Sequence, residues 1–247
     1  MRNIKMLIEY DGSRYKGWQR LGNTDNTIQH KIEDVLKKMT GEDIQIIGSG
    51  RTDAGVHAIG QVANFHTNCN SSQDEIRDYC NHYLPEDIVI KKVIEVDERF
   101  HSRYNAVSKE YIYSIYNSNV PTVFNRKYTY YIPEKLNISE MKKASKYFIG
   151  VNDYKAFTAM KSKKKSTVRE IYSIEFRING NQIDIIYHGN GFLHKMIRII
   201  TGTLIEIGLG KLKSETIPQI MNGKIRSNAG ITAPSEGLCL YKVYYDK

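Results

Sequence analysis

One succession of segments, strand, helix, strand, strand, helix, strand, occurs twice along this chain and restricts its fold more than any single residue does. In the first half, Ile4 to Tyr10 alternates apolar and polar residues, the period of a strand with one buried face. Ile28, Ile32, Val35, Leu36 and Met39 recur at helical spacing, with Thr27 as N-cap and Gly41 as the stop. Ile44 to Ile47 reads as a short buried strand and Gln61 to Thr67 as another. Ser72-x-x-Glu75 is a capping box opening a helix that ends near Leu84-Pro85, and Ile88 to Val96 closes the half. In the second half, Glu110 to Tyr116 reads as a strand and Ser139 to Ile149 as a helix. Glu170 to Ile178 and Ile183 to His188 read as a hairpin across Asn179-Gly180-Asn181. A long helix from Phe192 to about Ile207 and a last strand, Gly237 to Tyr245, complete the repeat. The order predicts an α+β chain of two ferredoxin-like (β-α-β-β-α-β) domains, 1–104 and 105–247. The repeat is one of element order, without residue-level self-similarity.

An apolar content of 40% with 26% charged residues is that of a soluble globular protein. No apolar run reaches the roughly 18 residues that span a bilayer. Met1-Arg2-Asn3-Ile4-Lys5 leads straight into a strand pattern with no signal peptide, so a cytoplasmic protein is expected. A formal charge of +9 suits a polyanionic partner such as nucleic acid, although many basic proteins bind none. Three cysteines make no disulfide framework. His66-x-x-Cys69 and Cys80-x-His82 resemble metal-ligand spacings, but residues two apart on a helix point in different directions, so no metal is predicted.

The chemistry concentrates in Gly48-Ser49-Gly50-Arg51-Thr52-Asp53-Ala54-Gly55-Val56-His57-Ala58. Glycines on both sides of a lone carboxylate suggest a tight loop in which small residues let a large ligand reach Asp53. Glycine is missing where a dinucleotide fingerprint needs it, and Val56-His57 replaces the Lys-Ser/Thr of a phosphate-binding loop. Two readings remain. Asp53 is a prepared nucleophile, with Arg51 holding it ionised, or it closes an Asx-turn, the commoner fate of an Asp in such a loop. A second charged stretch, Lys161-Ser162-Lys163-Lys164-Lys165-Ser166, is either a phosphate contact, with Lys163 and Lys164 as its candidates, or a solvated loop.

The run Gly50-Arg51-Thr52-Asp53-Ala54-Gly55-Val56-His57-Ala58-x-Gly60-Gln61-Val62 resembles the signature of the tRNA pseudouridine synthase A family. It is accompanied, in family order, by Tyr10-Asp11-Gly12 with Tyr15-x-Gly17-Trp18-Gln19, by Phe100-His101-Ser102-Arg103-Tyr104, and by Phe192-x-His194-x-Met196-x-Arg198. The resemblance implies two ferredoxin-like domains whose mostly antiparallel sheets join, with the active-site cleft between them. It also implies a homodimer acting on tRNA, at uridines 38 to 40 of the anticodon arm, without a metal or a small-molecule cofactor. Asp53 would be the nucleophile, attacking C6 of uracil or C1′ of ribose, or else the base at C2′.

On the same resemblance, Tyr111 is the active-site tyrosine, stacking on the target uracil or relaying its proton. The family often carries basic residues just before it; here Lys109 is basic and Glu110 acidic. Arg51 and Arg198 are the candidates to pair with the carboxylate or a phosphate, Arg198 one turn after His194 on an otherwise apolar helix. Tyr15, Trp18 and Arg20 would supply stacking and phosphate contacts, with packing as the other use of Trp18. His57, His101 and His194 are assigned no catalytic role. The rivals are the same chemistry on ribosomal RNA and an RNA-binding module without catalysis.

Overall fold

Strand β1 (Arg2–Tyr10) sets the register of the first half, because Ile4, Met6 and Ile8, at every second position, are fully buried. The computed structural model describes residues 1–160 and 166–246. Within them the chain folds as two compact units, one of Met1–Val107 with the chain's end from Cys239, the other of Ser108–Leu238.

In the first unit, α1 (Ile28–Thr40) starts where the Thr27 hydroxyl accepts the His30 N–H at 3.3 Å and stops at Gly41, whose φ of 73° suits glycine. Ile28, Ile32, Val35 and Leu36 form its buried stripe. After β2 (Ile47–Gly48) comes β3 (His57–Thr67), then α2 (Gln73–Tyr83) behind the complete Ser72/Glu75 capping box, then β4 (Ile88–Val96). Strand β1 lies between β3 and β4, antiparallel to both, and β2 pairs antiparallel with β3, giving the order β4-β1-β3-β2.

In the second unit, β5 (Ala106–Asn117) is paired in parallel by the short β6 (Tyr130–Ile132). Helix α3 (Ile138–Ser145) is followed by β7 (Gly150–Asp153), β8 (Val168–Asn179) and β9 (Gln182–Gly189), and the order is β5-β9-β8-β7, each strand antiparallel to the next. The Asn-Gly hairpin forms as the sequence indicates, with Asn179 opposite Gln182 and Gly180 at φ 57°. Helix α4 (Met196–Gly208) buries Ile197, Ile199, Ile200, Leu204, Ile205 and Ile207, each contributing roughly 1.5–3 kcal/mol of transfer free energy. The short α5 (Ile217–Gly223) follows, and β10 (Leu238–Tyr245) ends the chain.

The fold is therefore α+β, and it departs from the sequence expectation at several places, among them the strand expected over Ile44 to Ile47, which forms only at Ile47–Gly48. The last strand belongs to the first unit, because Cys239 and Leu240 pair in parallel with His57 and Ala58 of β3. The first unit also runs to Val107 instead of 104. The helix expected from Phe192 begins at Met196, since Lys195 adopts a left-handed φ of 59° that an α-helix does not accommodate.

Candidate active site

The loop carrying Asp53 is made rigid from both ends by the segment that follows β1. One residue before Asp53, Thr52 is 7% exposed; its hydroxyl lies 2.8 Å from the Tyr10 hydroxyl and its carbonyl accepts the Trp18 N–H at 3.1 Å. After Asp53, the Gly55 N–H donates to the Tyr15 carbonyl at 3.3 Å. His57, buried on β3, accepts the Gly12 N–H on Nδ1 at 3.1 Å, and the same nitrogen lies 3.2 Å from Asp11 Oδ1. These contacts need a backbone that side chains would hold apart. A Cβ on Gly12 would stand 2.0 Å from the Val56 carbonyl oxygen, and one on Gly17, at φ 100°, would stand 2.7 Å from that of Thr52. The segment is pinned in turn by Asp87, which receives Arg14 at 2.6 Å, the Tyr15 hydroxyl at 2.5 Å and, through its carbonyl, the Asp11 N–H at 3.0 Å. Burial, and then the bond to Asp87, hold the Tyr15 phenol above its ordinary pKa.

A second set of bonds fixes the loop's entry. Gln61, fully buried on β3, accepts the Ser49 hydroxyl at 2.7 Å and donates to the Gly50 carbonyl at 3.1 Å. The turn after Asp53 closes through its main-chain carbonyl, which accepts the Val56 N–H at 3.2 Å, while Gly55 takes a φ of 78°. Asp53 itself is half-buried.

The other residues named from the sequence fall into distinct settings. Arg51 is exposed two residues before Asp53, a position suited to a phosphate. Arg20 is exposed and reaches Glu33 at 3.3 Å, whose carboxylate also accepts Gln29 and the Ile46 N–H. Tyr15 and Trp18 are 5% and 2% exposed, and the Trp18 ring lies where a Cβ on Gly48 would come within 2.6 Å of it. Both rings are therefore buried in the protein, which for Trp18 is the packing use the sequence reading keeps open.

The second unit carries Tyr111 and Arg198. Tyr111 on β5 is 8% exposed, stands opposite Tyr187 in the ladder, and meets the Phe192 ring edge-on at 5.4 Å. Arg198, half-buried in the first turn of α4, donates from Nε to the Ala233 carbonyl at 2.7 Å, and the Ala233 N–H donates to the Arg198 carbonyl at 3.0 Å. That fixes the guanidinium plane. His194 lies in the turn before the helix instead of on its face, where its carbonyl accepts the Ala159 N–H and the Thr158 hydroxyl. Lys163 and Lys164 lie outside the described residues. Cys80 is fully buried, and burial pushes its thiol up to about 12. Among the described residues no group of three His, Cys, Asp or Glu side chains is placed to hold a metal.

Tyr10, Thr52, Gln61 and Asp87 are supports that the sequence reading does not assign, whereas His57 is the buried, hydrogen-bonded histidine that reading takes it for. The signal for His57 is its distance from Asp53, four residues on, the first inward position of the strand after the loop.

A half-buried carboxylate presented on a braced glycine loop is a group of the kind enzymes use for covalent or acid–base chemistry. The family described as tRNA pseudouridine synthase matches residues 6–105 and 144–246. A "tRNA pseudouridine synthase A 1" of Clostridium tetani is 53% identical over 245 residues, covering 99% of this chain and all of the relative. A "tRNA pseudouridine synthase A 2" of Bacillus cereus is 50% identical over 245 residues with the same coverage. The chain belongs to the tRNA pseudouridine synthase family, a family of isomerases. Among solved structures, a chain from a "Cbf5-Nop10-Gar1 Complex" covers 98% of this one at 12% identity and a TM-score of 0.40, too weak a likeness to bear on fold or function.

Proposed function

We propose that this protein is a cytoplasmic isomerase that converts uridine to pseudouridine in tRNA, at positions 38 to 40 of the anticodon arm, without a cofactor and as a homodimer. Asp53 is its nucleophile. Tyr111 meets the target uracil, and Arg51 and Arg198 serve the carboxylate or the substrate's phosphates. Arg20, Lys163 and Lys164 contribute charge toward the RNA, whereas Tyr15 and Trp18 act by supporting the loop. Each half is assigned to the ferredoxin-like class, a reading supported in the first unit by the antiparallel order β4-β1-β3-β2.

The observation that carries the reading is the bracing of Asp53. Thr52 is tied to Tyr10 and Trp18, and His57 to Gly12, so the residue between is presented on a fixed backbone. Such preorganisation is what an attacking group needs, because misplacement by about 1 Å costs on the order of 100-fold in rate. A turn-forming aspartate needs none of it. Full-length relatives at about half identity, named tRNA pseudouridine synthase A, support tRNA ahead of ribosomal RNA as the substrate.

The test is Asp53→Asn. The variant is expected to bind unmodified tRNA within a few fold of the wild type and to form no pseudouridine. Product formation by the variant would remove Asp53 from the chemistry, whereas a wild type that binds tRNA and forms no product would leave the RNA-binding rival standing. Mapping pseudouridine in cells that lack the protein separates the substrates, and an unaltered anticodon arm would defeat the tRNA assignment.

A further inference from the structure

Residues 118–129 leave the sheet after β5 and return to it, at β6, beside their point of departure. Asn117 clamps the two ends: its side-chain amide donates to the Ile132 carbonyl at 2.9 Å and the Glu134 carbonyl at 2.7 Å, and it faces Ile132 in the parallel ladder. A loop with its ends held together in this way is ordinarily filled by its own side chains. Here the apolar ones turn outward. Val120 is 62% exposed, Val123 67% and Phe124 92%.

The backbone behind them is nevertheless held. The Tyr128 N–H and the Thr129 hydroxyl both donate to the Asn125 carbonyl, at 2.9 and 3.0 Å, and Arg126 Nη1 donates to the Val123 carbonyl at 2.6 Å. A fixed turn that lifts a phenylalanine into water gains nothing from its own burial, so the exposure points to a partner. The local charge says which kind. Arg126 and Lys127 adjoin Phe124, and no Asp or Glu occurs between Glu110 and Glu134. The Arg126 bond goes to a neutral carbonyl. Glu134 and Glu236 act on Tyr130, at the loop's base and not its tip. Two copies meeting tip to tip about a two-fold axis would bring like charges together, which argues against such a contact between copies of the chain.

We propose that the 118–129 loop is an RNA-contact element, with Phe124 stacking on an unpaired base and Arg126 and Lys127 meeting the adjoining phosphates. The assignment rests on the reading that the substrate is tRNA. An aromatic ring beside cations fits this use, because every base offers a face for stacking and every nucleotide a charge.

The experiment is equilibrium binding of an unmodified tRNA transcript at several salt concentrations, with single-turnover product formation at saturating enzyme. Phe124→Ala is expected to weaken binding about tenfold, and Phe124→Trp to retain it. The double variant Arg126→Gln/Lys127→Gln is expected to flatten log affinity against log salt by roughly 1.4 to 1.8, the share of two released counterions. The saturating rate should stay at the wild-type value, and thermal melts should show the variants folded. Phe124→Ala binding within twofold of the wild type at an unchanged salt slope would overturn the assignment. So would a change in particle mass on Phe124 substitution, which would make the loop a protein contact. The two readings fail separately: unchanged binding in a protein that makes pseudouridine removes the loop alone, whereas a wild type that binds tRNA and makes none removes the isomerase.

Discussion

The Tyr10 hydroxyl, at the end of β1, lies 2.8 Å from the Thr52 hydroxyl, one residue before Asp53, and the two side chains are 3% and 7% exposed. Removing one partner of such a pair strands the other in a place water does not reach, at a cost of about 1–3 kcal/mol. Tyr10→Phe should therefore lower unfolding free energy by about 2 kcal/mol. Because the released hydroxyl adjoins the proposed nucleophile, single-turnover product formation should slow by about tenfold, the effect of a shift well below 1 Å. Urea denaturation and rapid-quench kinetics on the same preparation check both. Stability and rate equal to the wild type would show that the bond does not position the loop.

Gly17 makes the second prediction, because its conformation and its surroundings both exclude a side chain. With φ at 100° and the Thr52 carbonyl 2.7 Å from where a Cβ would stand, Gly17→Ala must strain the backbone or push the Asp53 loop away. The left-handed conformation alone costs about 1–2 kcal/mol. Loss of activity should exceed what the fall in stability explains, with kcat reduced while tRNA affinity changes little. A variant that loses affinity and keeps kcat would place Gly17 outside the Asp53 support.

How much of this was legible in the sequence depended on whether a residue's partners were near it in the chain. The Ser72/Glu75 box, the Thr27 cap and the Asn179-Gly180 turn act within a few residues, so their pattern is local and the structure forms them as read. The glycine loop was legible as a loop, but its supports were not: Tyr10 and Thr52 are far apart in sequence, and nothing local marks either as the other's partner. Tyr15 and Trp18 show the same limit. Aromatics beside arginine and lysine resemble a stacking surface until the fold turns their rings inward, where Asp87 and Gly48 meet them. The start of α4 is not legible because Phe192 and Leu193 continue its apolar pattern, while the left-handed Lys195 is a choice of the tertiary structure.

Asn64 tests the segment that carries the Phe100-His101-Ser102 motif. It is fully buried, donates to Asn3 Oδ1 at 3.0 Å and accepts the Ser102 N–H at 2.9 Å. Asn3 in turn donates to the Phe100 carbonyl at 2.8 Å. Asn64→Ala would strand two buried groups and is expected to cost about 3 kcal/mol. Hydrogen exchange should show the loss at the Ser102 amide first. Protection there at the wild-type level would mean that the network is not what holds the segment.

Asp153 gives a pH-dependent prediction whose sign follows from its surroundings. Burial pushes its pKa upward, but Lys224, the Thr167 hydroxyl and the Lys155 N–H favour the charged form and leave the net value lowered from 3.8. The Lys224 ammonium stands 2.6 Å from Oδ2. A carboxylate whose folded pKa lies below its unfolded one, about 3.9, contributes stability that is complete above the unfolded value and is lost as pH falls through the folded one. Asp153→Asn should thus lower the melting temperature at neutral pH, and the difference from wild type should shrink as the buffer is taken below about pH 4. The contribution involves Thr167 and Lys155 as well as an ion pair, so raising salt should reduce it only in part, since screening acts on the Lys224 attraction and leaves the neutral donors in place. Melting curves of both proteins from pH 7 to 2, at low and high salt, decide the matter. A difference that stayed constant across that range would mean that the carboxylate's charge has no part in the stabilisation.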